Sequence, residues 1–166
     1  MRRSTAGLIV AVALGSNLGD RRAHLDFAAS RLQALLGGLR VSTYFETIPA
    51  DVTGPQPLFL NGAVVGETIL SARALLTSLL QIEMERGRER PGPHAPRTLD
   101  LDLVLFGDLV AADAELVVPH PRFRERRFVL EPLAEIAAGL RDPVTGCTVA
   151  ELLARLPDDC RRGVQD

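Results

Sequence analysis

The sequence contains no lysine, and all 19 of its basic residues are arginine. A phosphate-binding loop of the Walker A type needs its lysine, so this absence excludes that class of nucleotide site. Arginine is then the only side chain with a permanent positive charge that can hold a phosphate, and its planar guanidinium is suited to bidentate binding. The positions of the arginines therefore decide where a phosphate could bind.

Cysteine and aromatic residues are also scarce. Cys147 and Cys160 form no Cys-x-x-Cys pair, and we expect two free thiols in a reducing, cytoplasmic compartment. The aromatic residues are six phenylalanines and one tyrosine, and the net charge is −2. A nucleic-acid surface needs exposed aromatics and a basic face, so this composition argues against a nucleic-acid partner.

Long hydrophobic runs are absent, and no segment approaches the length of a membrane span. The N-terminal stretch MRRSTAGLIVAVALGS nevertheless imitates a signal peptide, with two arginines before a short apolar run. The alternative interpretation is a buried first strand at residues 8–14. A helical pattern follows directly after GSNLGD, which favours the strand, and we expect residues 1–166 to form a single domain.

Hydrophobic spacing predicts strands and helices in the order β-α-β-β-α-β, followed by a C-terminal appendage. This order is typical of an α+β ferredoxin-like sandwich, an antiparallel four-stranded sheet with helices on one face. Two long Pro/Gly-rich loops, at 50–57 and 86–96, could close over an active site. The strands are predicted at 8–14, 39–47, 58–69 and 99–106, and the helices at 20–36, 71–87, 131–138 and 148–156.

Local signals mark the ends of these helices. Gly37 and Gly38 are predicted to end the first helix, and Ser71 to cap the second. Pro132 is predicted to lie in the first turn of the third helix. A capping box, formed by Thr148 and Glu151, is predicted to open the fourth.

The segment PRTLDLDLVLF places two aspartates, Asp100 and Asp102, at the start of an otherwise apolar strand. Residues two apart in a strand share a face, so both carboxylates could simply face solvent. The same face continues into Val104 and Phe106, however, which indicates a strand covered on both sides. Two like charges near an apolar surface are tolerable when a cation lies between them. Oxygen ligands suit Mg²⁺, which usually arrives with phosphates.

Other residues suggest ligand contacts less specifically. Phe59 and Asn61 share a strand face, where a ring beside a carboxamide could stack on a heterocycle and bind its edge, although a core phenylalanine and a turn asparagine give the same pattern. Glu83 continues the apolar stripe of the second helix, either paired with an arginine or placed for a ligand. Gly15 and Gly19, in the loop GSNLGD, are interpreted as serving the strand-to-helix turn.

Two groups of basic residues flank the aspartate strand in sequence. Charged runs are usually solvated surface, but neither group follows the spacing of a helix face. Arginines beside two carboxylates and Mg²⁺ suit the binding of a polyphosphate. The first group comprises Arg86, Arg88, Arg90 and Arg97, and the second comprises His120, Arg122, Arg124, Arg126 and Arg127.

Five segments occur in a characteristic order: ALGSNLGD, FLNGAV, IEMERGRER, PRTLDLDLVLFGD and PHPRFRERRFVLEPLAEIA. With them the sequence resembles the 6-hydroxymethyl-7,8-dihydropterin pyrophosphokinases of folate biosynthesis, over residues 8–140. RTLDLD together with PHP and RRFVL is the most specific part of the resemblance. It implies an ATP-dependent transferase, a diphosphokinase, that moves the β,γ-diphosphate of ATP onto the hydroxymethyl oxygen of the pterin and releases AMP.

The resemblance also implies roles for individual residues, with two Mg²⁺ ions bound by the aspartates and Leu103 touching adenine through its backbone. The catalytic positions are Arg88, Arg97, Asp100 and Asp102. The pterin positions are Thr47, Ile48, Phe59, Asn61 and Phe128. The ATP positions are Glu83, Arg88, Arg90, Arg97, Leu103, His120 and Arg126. Four positions depart from some members of the family: Leu80, His94, Glu115 and Val117. These departures leave details of the ATP contacts open.

Two other functions use the same features. A Mg²⁺-dependent phosphohydrolase or nuclease could employ the two aspartates without a pterin, and a ferredoxin-like sheet could serve as a nucleic-acid-binding module. The pyrophosphokinase interpretation predicts ATP and the pterin as the partners, with neither nucleic acid nor membrane, and a monomer.

Overall fold

The structure is a computed structural model that describes residues 7–48, 57–87 and 98–157. The sheet strands are β1 (Leu8–Ser16), β2 (Gly37–Val41), β3 (Phe45–Thr47), β4 (Phe59–Thr68) and β5 (Asp100–Phe106). A small hairpin consists of β6 (Ala111–Ala112) and β7 (Val117–Val118). The helices are α1 (Arg21–Leu35), α2 (Ala72–Glu85), a 3-10 turn at Phe123–Glu125, α3 (Arg127–Ala137) and α4 (Val149–Arg155).

The strand order β2-β4-β1-β5, with every pairing antiparallel, confirms the predicted ferredoxin-like α+β fold. The first strand, β1, lies between β4 and β5, and its residues Val10, Ala11 and Val12 are fully buried. An apolar run with small side chains is what a central strand with both faces covered requires. The buried-strand interpretation of this segment is therefore confirmed.

The predicted second strand, 39–47, is in fact divided into β2 and β3, which both pair with β4. Ser42 lies at the break. Its hydroxyl accepts the Ala63 N–H at 2.9 Å, in place of a backbone carbonyl, while its own N–H donates to the Ala63 carbonyl at 2.9 Å. A serine side chain that substitutes for the ladder interrupts the strand.

Helices cover both faces of the sheet, and alternate residues of β1 divide between the two cores. Val12 and Leu14 pack under α1 and α2, whereas Ala11 and Ala13 pack under α3 and α4. The expectation of helices on one face thus holds only for α1 and α2, because the C-terminal appendage supplies a second layer. Within the described ranges, no helix is long and apolar enough to cross a membrane.

The helix-end predictions are partly confirmed. Ser71 caps α2, with its side chain accepting the Ala74 N–H, and the capping box opens α4. Gly37 and Gly38 do not end α1, because Leu36 is already extended and Gly37 begins β2. Pro132 lies inside α3 rather than in its first turn. A proline there removes one helical hydrogen bond, and the burial of Leu130 and Leu133 against the sheet holds the helix in place.

A β-bulge in β5 changes which residues share the aspartate face. Ala11 pairs with Leu105 but Val12 pairs with Leu103, so Val104 is an extra residue on β5. Val104 consequently packs under α3 and Phe106 under α1 and α2. The prediction that the aspartate face continues through Val104 is right, and its extension to Phe106 is wrong because the bulge resets the alternation.

A buried ion pair ties the turn before α3 to the turn before α4. Asp142 is fully buried, and its carboxylate accepts two hydrogen bonds from Arg124, at 2.5 and 2.9 Å. Thr145 donates to the same carboxylate at 2.7 Å, and the Val144 N–H donates at 3.0 Å. Every donor in this set favours the ionised carboxylate.

Acid should therefore weaken this part of the fold. Burial alone would raise the pKa of Asp142, but the hydrogen bonds from Arg124, Thr145 and Val144 outweigh burial and lower it from 3.8 to about 2. Because the folded-state pKa lies below the unfolded value, the carboxylate stabilises the fold above pH 3.8, and this contribution disappears as the pH falls toward 2. We expect the difference in unfolding free energy between the wild type and Asp142→Asn to shrink over that range in denaturant titrations. A difference independent of pH would contradict the assignment.

Candidate active site

The candidate site lies at one end of the sheet, on the face covered by α3. A single row of register partners runs across four strands, joining Phe45, Asn61, Gly15 and Asp100. Directly opposed residues in antiparallel strands present their side chains on the same face. Asn61 and Asp100 therefore point the same way from the two strands beside β1. Since neighbouring strands are about 4.8 Å apart, their backbones are separated by about 10 Å.

Asp102 lies two register positions further along the sheet, on the same face, opposite Ala13, which belongs to the core beneath α3. Both Asp100 and Asp102 are half-buried, and both also interact with other groups of the chain. Among the described residues, no cluster of three or more His, Cys, Asp or Glu side chains could hold a metal ion. Two carboxylates on one face still fit Mg²⁺, because that ion commonly takes one or two protein carboxylates and completes its shell with water and phosphate oxygens.

Opposite the aspartates, β3 and β4 bring together four of the predicted pterin residues. Asn61 is buried, and its amide Nδ2 donates to the Thr47 hydroxyl. Thr47 is the register partner of Phe59, so the phenyl ring lies beside this hydrogen bond. Ile48, immediately after β3, is about half exposed, at 49%. A phenyl ring, a carboxamide and the end of β3 therefore meet at one corner of the sheet.

Phe128 and Arg126 come from the start of α3, which packs on β4. Phe128 is partly buried against the core beneath α3. The Arg126 guanidinium lies over its ring, 5.5 Å from the ring centre, in a cation–π arrangement. The second predicted pterin aromatic therefore lies on the same side of the sheet as Phe59.

The four arginines of the second basic group, which the sequence alone could not distinguish, differ in their ion pairing. Three of them form ion pairs with carboxylates: Arg122 with Glu125, Arg124 with Asp142 and Arg127 with Glu131. Arg126 forms no ion pair with any residue of the described ranges. Among these four arginines, Arg126 is therefore the one whose charge is not neutralised by a carboxylate of the described residues.

His120 is attached to the aspartate strand and lies within electrostatic reach of Arg126 and Asp100. Its backbone N–H donates to the Val104 carbonyl at 2.9 Å, which anchors it to β5. Burial lowers the pKa of His120, the charges of Arg126 and Arg122 lower it further, and Asp100 opposes them. The ring Nδ1 accepts the Arg122 backbone N–H at 3.2 Å, so the neutral imidazole carries its proton on Nε2 and can donate it to a ligand.

Glu83 is only 2% exposed, and its carboxylate accepts the backbone N–H of Leu101 at 2.8 Å. The bond attaches Glu83 to β5 at Leu101, the residue between the two aspartates. Neither interpretation of Glu83 predicted this structural role. Glu83 also has further interactions. Leu103 packs its side chain beneath α1 and α2. Alternate residues of a strand direct their backbone N–H and C=O groups to the same side of the strand. The backbone groups of Leu103 therefore point away from β1, as the Leu101 N–H does.

Four predicted residues, Arg88, Arg90, His94 and Arg97, lie outside the described residues, as do the loop segments 50–56 and 88–96. Their roles stay predictions. Arg86, from the same group, donates through Nε to Nδ1 of His24 at 2.9 Å. Its guanidinium also lies 4.7 Å from the ring centre of Phe27, so Arg86 is bound to α1.

The other departures from the family can be located. Glu115 accepts a hydrogen bond from Arg73 at 2.7 Å, which ties the β6–β7 hairpin to α2. Leu80 and Val117 are exposed, at 42% and 45%, and their side chains have no polar atom to offer a ligand.

Gly15 has a different place from the one predicted. Gly19, with φ +73°, does serve the turn after β1. Gly15 instead lies within β1, in the row between Asn61 and Asp100. The signal was present in the sequence, because a glycine in a strand often marks a close approach by another group.

The family model described as 7,8-dihydro-6-hydroxymethylpterin-pyrophosphokinase (HPPK) matches residues 11–138. The chain is 41% identical over 150 residues to a 2-amino-4-hydroxy-6-hydroxymethyldihydropteridine pyrophosphokinase of Synechocystis sp., covering 90% of this chain and 75% of that protein. It is 43% identical over 139 residues to the protein of the same name from Bacillus subtilis, covering 82% and 83%. The protein of that name from Pseudomonas aeruginosa is 41% identical over 150 residues, covering 89% and 91%.

Solved structures of HPPK-DHPS proteins share the fold. A crystal structure of HPPK-DHPS in complex with substrates has a TM-score of 0.71 at 13% identity, over 90% of this chain and 43% of that one. A Plasmodium falciparum HPPK-DHPS has a TM-score of 0.71 at 14% identity, over 90% and 45%. This chain thus spans less than half of either solved chain. Since the family model and the curated relatives both extend over most of the sequence, this chain belongs to the 7,8-dihydro-6-hydroxymethylpterin-pyrophosphokinase family.

Proposed function

We propose that this protein is an ATP-dependent diphosphokinase of tetrahydrofolate biosynthesis. It transfers the β,γ-diphosphate of ATP to the hydroxymethyl oxygen of 6-hydroxymethyl-7,8-dihydropterin and releases AMP. The observation that carries the proposal is the single sheet row that joins Asn61 to Asp100. A heterocycle bound beside the carboxamide lies on the same face of the sheet as the carboxylates, whose strand backbone is about 10 Å from that of Asn61.

The pterin binds at the corner of β3, β4 and α3. Phe59 and Phe128 offer aromatic faces to the ring. The Asn61 carboxamide has both a donor and an acceptor, which matches the edge of a pterin. Backbone groups of Thr47 and Ile48 complete the recognition of that edge.

ATP binds on the β5 side. Arg126 supplies a charge that no described carboxylate neutralises, and His120 can donate through Nε2. Leu103 offers backbone groups to adenine, and Glu83 keeps that edge of β5 in place. Arg88, Arg90 and Arg97 hold the remaining phosphate oxygens, a role that is supported by the family pattern alone.

The chemical step needs alignment and charge neutralisation more than a strong base. The hydroxymethyl oxygen releases its proton to water and forms a bond to the β-phosphorus, while the bond from that phosphorus to the oxygen bridging the α-phosphate breaks and AMP leaves. Asp100 and Asp102 hold two Mg²⁺ ions, which when bound neutralise phosphate oxygens. The arginines stabilise the negative charge on the transferred group, and the two aromatic rings keep the pterin in line.

A product assay tests this function. The protein is mixed with ATP, Mg²⁺ and the hydroxymethyl pterin, and nucleotides and pterins are separated by chromatography. We expect AMP that depends on the pterin and is matched one-to-one by pterin diphosphate. ADP or free phosphate formed without the pterin would indicate a phosphohydrolase instead. RNA binding with a steep salt dependence, and no turnover, would indicate a nucleic-acid-binding module.

We also infer that residues 1–166 act as one domain and as a monomer in the cytoplasm. Within the described ranges, α1, α2 and α3 pack on one sheet and α4 packs on α3, which supports a single domain. Cys147 is a free, buried thiol, in keeping with a reducing compartment, and Cys160 lies outside the described residues. Light scattering during gel filtration should give the monomer mass of 17.9 kDa, and twice that mass would overturn the monomer.

A further inference from the structure

The centre of the candidate site is a strand position without a side chain. Gly15 is buried on β1, with Asn61 as its register partner on β4 and Asp100 as its partner on β5. One row deeper on the same face, β1 carries only Ala13. On this face β1 therefore presents almost no side-chain volume at positions 13 and 15, and the Asn61 side chain of the neighbouring strand β4 lies close to its backbone.

The contacts around Gly15 are specific. A Cβ atom added there would lie 3.2 Å from Oδ1 of Asn61 and 3.7 Å from Cδ1 of Phe59. The distance to the phenyl ring is an ordinary van der Waals contact, whereas the distance to the amide oxygen is shorter than such contacts normally are. A side chain at position 15 would therefore crowd the Asn61 carboxamide, which would have to shift by a few tenths of an ångström.

Asn61 has little freedom to move away. Asn61 is 6% exposed, and its Nδ2 is held by the Thr47 hydroxyl on β3. A displacement of Oδ1 by a few tenths of an ångström must therefore turn the amide or stretch its bond to Thr47. Either change alters the direction in which the carboxamide presents its donor and acceptor.

We propose that Gly15 is a positioning residue for pterin recognition: its missing side chain allows the Asn61 carboxamide to lie over β1 in the orientation that binds the pterin edge. The inference rests on the proposed function, since it presumes that Asn61 binds the pterin. Gly15 itself does not contact the substrate in this role and acts through Asn61.

The first test is Gly15→Ala in steady-state kinetics. We expect the KM for the pterin to rise about tenfold, the loss of roughly one well-oriented hydrogen bond, while the KM for ATP stays within about twofold. The matched control is Gly37→Ala, which also adds a methyl group to a strand of this sheet. Its nearest neighbour would be the Glu67 carbonyl oxygen at 3.9 Å, so both constants should be unchanged. A pterin KM unaffected by Gly15→Ala would overturn the proposal.

A double-mutant cycle separates positioning from simple structural damage. Asn61→Ala removes the oxygen that the new methyl group would displace. Gly15→Ala should therefore raise the pterin KM much less in the Asn61→Ala background than in the wild type. Equal losses in both backgrounds would show that Gly15 does not act through Asn61.

Folding is measured alongside, because a crowded strand position can also reduce stability. If Gly15→Ala does not fold, rescue of folding by adding Asn61→Ala supports the contact, and a double variant that also fails to fold overturns it. A wild-type protein that makes no pterin diphosphate would refute the proposed function together with this inference. An active wild type whose Gly15→Ala variant is equally active refutes the inference alone.

Discussion

Replacing Asp100 or Asp102 by alanine should abolish diphosphate transfer, with a loss of at least about a thousandfold, while leaving the fold intact. Each carboxylate lies at the open end of β5 and is only half-buried, so its removal creates no core cavity. Removing one of two neighbouring like charges also relieves their mutual repulsion. The oxygen ligands for Mg²⁺, in contrast, are lost directly.

The measurement combines the product assay, across a range of Mg²⁺ concentrations, with thermal unfolding of each variant. Asp108→Ala is the matched control, because Asp108 is an exposed carboxylate just beyond the end of β5 and should be dispensable. Calorimetric titration with Mg²⁺ and a non-hydrolysable ATP analogue would locate the defect in metal binding. Normal turnover of either variant in Mg²⁺ would refute the metal assignment.

The second large effect is a contrast between two arginines two residues apart. Arg126→Ala should reduce turnover by about a hundredfold, since it removes a charge available to the phosphates, and should change stability little. Arg124→Ala should leave Asp142 buried and unpaired, at a cost of about 3 kcal/mol in unfolding free energy. With the chain folded, below its lowered melting temperature, Arg124→Ala should retain most of its activity.

Chemical denaturation and the product assay, run on the same preparations, measure the two effects together. Arg31→Ala is the control for both, because its ion pair between α1 and Glu85 of α2 is partly exposed on both sides and such pairs contribute little. If Arg126→Ala transferred diphosphate normally, the phosphate role assigned to this residue would be wrong. A stable Arg124→Ala protein would show that the buried pair with Asp142 is not needed.

These contrasts explain why the candidate site was only partly predictable from the sequence. In RFRERR all the arginines are chemically alike, and what distinguishes Arg124 from Arg126 is a partner, Asp142, that lies 18 residues after Arg124. The same holds for Glu83, whose bond to the Leu101 N–H depends on how α2 packs beside β5. Long-range partners of this kind leave no local pattern.

Short-range periodicity determined most of the fold. The alternation of apolar residues, the cap at Ser71 and the capping box at Thr148 are local preferences, and the structure confirms them because tertiary packing agrees with each. Where a side chain replaces a backbone hydrogen bond of the sheet, or an extra residue is inserted in a strand, the local pattern does not predict the strand correctly. Ser42 divides a predicted strand, and Val104 turns Phe106 to the opposite face.

The sequence by itself determined the order of the elements, the paired carboxylates of Asp100 and Asp102, and the exclusion of a Walker A phosphate loop, because each depends on residue type and local spacing. Only the tertiary structure decided that Asn61, Gly15 and Asp100 form one row, and that Arg126 has no carboxylate partner among the described residues. Register and ion pairing join residues that are distant along the chain. They are chosen by the packing of the whole sheet against its two helical layers, and no segment specifies them alone.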